Sequence, residues 1–252
     1  MESVKKTGFM VAGILCAIAC IILIIKAIPG QKEPPVIVDP TPVTEPDKDP
    51  EPVKEPYRSP VDFKAWQERN SDVYAWLSIP GTDISYPVLQ NADEDEYYLE
   101  RNVDRQWASD GSLFTQASYN SKTFGDPVTI IYGHRMNSGA MFGQLQPLYL
   151  GEADFSAINK FVVFLPDKEL HYQIFAAVPH SNEHILYFHD FTDKEVLQEF
   201  LDEIYAETDS AANFDESAFA TADDKLVILE TCLQTNRTNR FLVIGKLIET
   251  VE

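Results

Sequence analysis

The chain has 252 residues, with 40 acidic against 20 basic side chains and a formal net charge of −20. That surplus repels polyanions, so nucleic acid and an anionic membrane surface are excluded as partners. Two of the three cysteines, Cys16 and Cys20, share one apolar stretch, so the rest of the chain has no cysteine pair and must fold by packing alone.

Residues 8–25 carry no charge and form an apolar run long enough for a helix to reach across a hydrocarbon core of ~30 Å. Lys5 and Lys6 precede this run, Lys26 follows it, and the chain beyond is acidic. That bias places the N-terminus in the cytoplasm and the remainder outside the cell membrane, as a single-pass protein. A cleaved signal peptide is the rival reading, but no small-x-small cleavage site precedes the prolines. Ten prolines then lie between Pro29 and Pro60, mixed with Glu, Asp and Lys and without apolar periodicity. Such a stretch behaves as an extended, semi-rigid spacer. The expected division is therefore a tail and transmembrane helix over 1–28, an extracytoplasmic linker over 29–58, and one folded domain over 59–252.

Within the domain, Ser59 and Pro60 read as the N-cap and first position of a short helix carrying Phe63 and Trp66 on one face. Ile79-Pro-Gly-Thr-Asp-Ile84 and Asp110-Gly-Ser112 are turn signals. Short apolar runs follow in series at Val128–Tyr132, Phe161–Leu165, Leu170–Val178, Leu226–Leu229 and Phe241–Ile248, which predicts a mostly β domain, such as a barrel. One helix interrupts the series. Thr192-Asp-Lys-Glu195 has the form of a capping box, and Val196, Leu197, Phe200, Leu201, Ile204 and Tyr205 recur at helical spacing.

Two of the strand-like runs end in reactive side chains. Pro127-Val-Thr-Ile-Ile-Tyr-Gly-His134 closes on a histidine, and Lys225-Leu-Val-Ile-Leu-Glu-Thr-Cys232 closes on the cysteine that lies outside the apolar N-terminal stretch. A lone cysteine with a histidine distant in sequence is a candidate nucleophile and base. The bland alternative is a small buried hydrophobe. The polar loop after Cys232 weighs toward chemistry, because it carries Arg237 and Arg240, and a guanidinium near a thiol favours thiolate and can stabilise an oxyanion.

Tyr132-Gly-His134 with Met141-Phe142, Leu229-Glu-Thr-Cys232, and Arg240 heading a final apolar strand resemble the catalytic signature of sortases, class B in particular. Trp76-Leu-Ser-Ile-Pro-Gly-Thr82, Tyr86-Pro-Val88, Tyr97-Tyr-Leu99 and Gly111-Ser-Leu-Phe114 resemble the same class in order and spacing, over about residues 60 to 250. The resemblance implies a sortase-like β-barrel with an N-terminal helix and a helix-bearing insertion before the cysteine strand. It implies a cysteine transpeptidase that cleaves a C-terminal sorting motif of secreted proteins through a Cys232 thioester. The acyl group passes to an amine, either a cell-wall precursor such as lipid II or a pilin lysine. His134 handles protons, Arg240 stabilises the oxyanion or positions the peptide, and Leu99, Tyr132 and Thr231 are the expected substrate contacts. Arg237 is expected to be a loop residue that can help hold substrate.

The chain departs from the family pattern in two places. The usual Thr-Leu-x-Thr-Cys reads Ile228-Leu-Glu-Thr-Cys232, which puts an acid beside the nucleophile, and acidic residues around Asp95 replace an Asp-Asn pair before Tyr97. Strand alternation turns Glu230 away from its immediate neighbours.

Rival readings of the same residues are a hydrolytic cysteine peptidase, told apart by its product, and an inactive cell-surface binding domain. His180-Ser-Asn-Glu-His184 matches the H-x-x-E-H pattern of a zinc peptidase group, but that pattern needs both imidazoles on one helix, which Ser181-Asn182 and Ile185-Leu-Tyr-Phe188 support poorly. His171 and His189 read as strand-surface and loop residues. No phosphate loop, cysteine-rich metal site or dinucleotide fingerprint occurs, so no metal and no cofactor is expected.

Overall fold

A computed structural model describes residues 56–154 and 157–252. The expected transmembrane segment and all but the end of the proline-rich linker lie outside the described residues. Among the described residues no helix is long and apolar enough to cross a membrane.

The first element, α1 (Phe63–Arg69), begins three residues later than Ser59-Pro60 predicts. The Ser59 hydroxyl accepts from Val61 N–H in a local turn, and Asp62 caps the helix by accepting from Ala65 N–H at 3.0 Å. Phe63 is buried, and the Trp66 ring packs on Trp76 with centroids 5.3 Å apart.

Eight strands close into a barrel. In chain order they are β1 (Val73–Ser78), β2 (Ser85–Leu89), β3 (Leu113–Phe114), β4 (Val128–Tyr132), β5 (Lys160–Phe164), β6 (Glu169–His180), then β8 (Leu226–Cys232) and β9 (Arg240–Val251). Around the barrel the order is β5-β1-β2-β3-β4-β8-β9-β6, and β6 pairs back onto β5. The two-residue β7 (Asn213–Phe214) adds to β6 on its other side. Two neighbour pairs are parallel, β2 with β3 and β4 with β8, and the rest are antiparallel. The turn predicted at Ile79–Ile84 joins β1 to β2, and the strands predicted from apolar runs are all present, the last three of them longer than their runs.

Alternation along β8 separates two cores. Val227 and Leu229 point inward with Leu77, Phe161, Ile174, Phe241 and Val243 to fill the barrel. Leu226 and Ile228 point outward with Ile130, Phe175, Leu242 and Ile244, and meet Leu197, Phe200, Leu201 and Ile204 of helix α4 (Lys194–Tyr205). The insertion helix therefore completes a second core against the outer face of the barrel. Its N-cap is Asp193, whose carboxylate accepts from Glu195 N–H at 2.9 Å. The expected cap, Thr192, instead donates its hydroxyl to Asp190 at 2.6 Å. Two short helices, α2 (Leu145–Tyr149) and α3 (Ile185–Phe188), flank the open end of the barrel.

Candidate active site

Cys232 is the last residue of β8 and Arg240 the first of β9, and the two are direct cross-strand partners. Parity puts both on the outer face, in line with Ile228, Glu230, Leu242 and Ile244. The connecting loop is closed by Leu233 N–H donating to Asn239 O at 2.9 Å, and by Asn236, whose side-chain oxygen accepts from the N–H and hydroxyl of Thr238. From α2, the Gln146 side chain, 2% exposed, donates to Cys232 O at 2.9 Å and accepts from Gln234 N–H at 2.8 Å. Two bonds from one buried amide hold the backbone on both sides of Leu233.

β4 runs parallel to β8, with Tyr132 paired to Glu230 and Gly133 N–H donating to Glu230 O at 3.1 Å. This register carries His134 to the same end of the barrel as Cys232. Gly133 has to be glycine for packing reasons: a Cβ there would lie 2.4 Å from Leu113 Cδ2 and 2.6 Å from Phe142 Cδ2. The His134 carbonyl accepts from Phe142 N–H at 2.9 Å, and an isolated bridge between Arg135 and Met141 closes the loop that follows. His134 Nε2 lies 2.8 Å from Leu99 O. A carbonyl oxygen only accepts, so Nε2 carries a proton and Nδ1 is the nitrogen left to take one. Gly111, at φ 56°, supports that contact from behind, because a Cβ there would sit 2.3 Å from Leu99 O.

Glu230 is buried, with its carboxylate 3.2 Å from Arg240 Nε. Burial pushes its carboxyl up to about 7, and the guanidinium pulls in the opposite direction. Tyr132 stacks on Phe114 with centroids 5.4 Å apart, and burial, followed by the Glu230 charge, holds its phenol well above the ordinary range.

His134, Cys232 and Arg240, together with Leu99, Tyr132 and Thr231, line one cavity of about 170 Å³. The three expected catalytic residues and the three expected substrate contacts therefore line one cavity. Leu99 also holds His134 through its backbone carbonyl. Glu96, Phe114, Gln116, Asn182, Glu183 and His184 also line it, and the sequence reading gives none of them a role there. The buried Gln116 Oε1 and Thr231 Oγ1 have no hydrogen-bond partner among the described residues. Asp95 accepts from Ser118 N–H at 3.0 Å and pins a loop. Arg237 does not reach this cavity; it lines a second one, of about 270 Å³, with His134, Arg135, Met136, Asn137 and Cys232.

The H-x-x-E-H segment is not helical. His180 ends β6, while His184 caps α3 and accepts at Nδ1 from Tyr187 N–H at 3.1 Å, so the two imidazoles do not share a helix face.

A closed barrel that presents a thiol, an imidazole and a guanidinium at one rim defines a cysteine acyl-transfer enzyme. The sortase family model, described as a sortase domain, matches residues 77–248. Sortase B of Listeria monocytogenes is 30% identical over 184 residues, which is 72% of this chain and 72% of that protein. The fold also matches a Staphylococcus aureus sortase B–substrate complex with a TM-score of 0.63 and 26% identity, over 74% of this chain and 84% of the other. A Streptococcus pyogenes class B sortase involved in pilus biogenesis matches with a TM-score of 0.61 and 27% identity, over 75% and 98%. The chain belongs to the sortase family and is a class B sortase, a cysteine transpeptidase.

Proposed function

We propose that this sortase cleaves a C-terminal sorting motif of secreted proteins and joins the new carboxyl end to an amine. Cys232 Sγ attacks the scissile carbonyl, His134 takes the thiol proton and gives it to the leaving amine, and Arg240 donates to the developing oxyanion. The observation that carries this reading is the Cys232–Arg240 cross-strand pair with His134 lining the same cavity. Leu99, Tyr132 and Thr231 line this cavity and contact the peptide. The matching Staphylococcus aureus sortase B was solved as a substrate complex, and a peptide bound at a site of this kind agrees with that.

The acceptor amine belongs to a cell-wall precursor such as lipid II or to a pilin lysine. Residues 8–25 anchor the protein in the cell membrane, 29–58 hold the domain off the bilayer, and 59–252 work on the outer side. Incubating the full chain in detergent with a panel of sorting peptides and amines, and weighing the products, tests this. Amine-linked conjugates support it. Released acid alone means a peptidase, and no turnover means a binding domain.

A further inference from the structure

The thiol is reachable from two sides. The cavity that holds Arg240, Leu99 and Tyr132 and the one that holds Arg135 and Arg237 have His134 and Cys232 in common and no other lining residue. Their charges differ. The first contains Glu96, Glu183 and Glu230, whereas the second contains two guanidiniums and no carboxylate. Neither Arg135 nor Arg237 is ion-paired among the described residues; Arg135 donates only to the Asn137 side chain, at 2.9 Å. On a chain of net charge −20, two unneutralised guanidiniums beside the nucleophile are an anion site in want of its anion.

We infer that the second cavity binds the acyl acceptor, and that the acceptor is a primary amine carrying a carboxylate or phosphate group. The inference rests on the reading above, in which the sorting peptide fills the first cavity. A simple cationic amine would be repelled by Arg135 and Arg237, whereas an anionic group on the same molecule is drawn in and oriented by them. The same positive field disfavours the ammonium form, so the bound amine is biased toward the neutral nucleophile that the reaction needs. Its nitrogen attacks the carbonyl carbon of the Cys232 thioester. The C–N bond forms as the C–S bond breaks, the electron pair leaves with Cys232 Sγ, and the proton lost by nitrogen passes to His134.

The test compares matched acceptors on the full chain with one sorting peptide: glycylglycine against glycylglycinamide for the carboxylate, and phosphoethanolamine against ethanolamine for the phosphate. The expected result is that at least one anionic acceptor has a kcat/KM about tenfold above its neutral partner, the size of one charge-assisted contact. Whichever arm prefers the anion identifies the group. The preference falls as salt is raised, and it drops to near unity in the Arg135→Gln, Arg237→Gln double variant. Because the readout is a ratio within each protein, a general loss of activity does not mimic it, and the salt series stands alone if the variant does not fold. Conjugates formed with no charge preference in wild type, or a preference that survives both substitutions, overturn the inference and leave the transpeptidase reading intact. Hydrolysis with no conjugate from any acceptor overturns both.

Discussion

The Glu230 carboxylate lies 3.2 Å from Arg240 Nε, so the guanidinium beside the nucleophile is held by a buried acid on the neighbouring strand. The other donors of Arg240 have no partner among the described residues, which leaves them for a substrate oxygen. Burial, which outweighs the pull of this guanidinium, gives Glu230 a measurable signature.

Its carboxyl, pushed up to about 7 from an ordinary 4.5, binds a proton more tightly in the folded state than in the unfolded one. The associated stability is complete below the ordinary value and is lost as pH rises through the folded one, by a total on the order of 3 kcal/mol. Glu230→Gln cannot titrate. Thermal melts of wild type and variant should therefore diverge in slope between about pH 4.5 and 7, the wild type falling more steeply; parallel curves would show that the buried carboxyl does not titrate there.

Cys232→Ala should abolish the acyl-enzyme mass adduct with a sorting peptide while leaving the melting temperature nearly unchanged. The side chain is half-buried at a strand end, and removing one sulfur there loses little packing. His134→Ala should also stop turnover. Near wild-type transpeptidation in either variant would remove that residue from the mechanism.

Arg240→Lys keeps the charge but loses the planar fork of donors, so kcat/KM on a sorting peptide should drop by an equivalent of about 2 kcal/mol or more. Arg237→Lys should be mild on that measure, because Arg237 lines the other cavity and its charge is retained. Equal losses would mean a diffuse electrostatic patch.

At Gly133 an added methyl group meets Leu113 and Phe142 closer than atoms can pack. Gly133→Ala should cost about 1–3 kcal/mol in denaturant unfolding. It should also slow acyl-enzyme formation at temperatures where the variant is still folded, since His134 is the next residue. A stable but inactive variant would assign the glycine to positioning alone.

How much of this the chain reveals before folding depends on whether a residue belongs to a run. β4, β8 and β9 are long apolar runs, so their ends, and with them His134, Cys232 and Arg240, are legible. The two-residue β3 and β7 are too short to leave a pattern. Gln116, Gln146 and His184 are single polar residues in mixed segments, and only the pairing of β3 with β4 and the docking of α2 and α3 bring them to the site. The N-cap of α4 falls one residue beyond the expected one because Thr192 and Asp193 are both good caps, and Asp190 takes the Thr192 hydroxyl. The class B resemblance supplies the expected substrate roles of Leu99, Tyr132 and Thr231, which periodicity alone does not indicate.

Because β8 borders two separate cores, the barrel and the insertion can come apart at different temperatures. Lifting α4 off Ile228, Leu242 and Ile244 exposes the second core but breaks no hydrogen bond between β8 and β9. Hydrogen exchange would register such an event as early loss of protection over 194–205, with the ladder from Leu226 to Cys232 still closed. The segment from Asn182 to His184, which walls the first cavity, leads into α3, the short helix that precedes α4 in the same insertion. An enzyme built this way loses its substrate wall before it loses its nucleophile, so warming should raise KM for the sorting peptide well below the temperature at which the barrel melts.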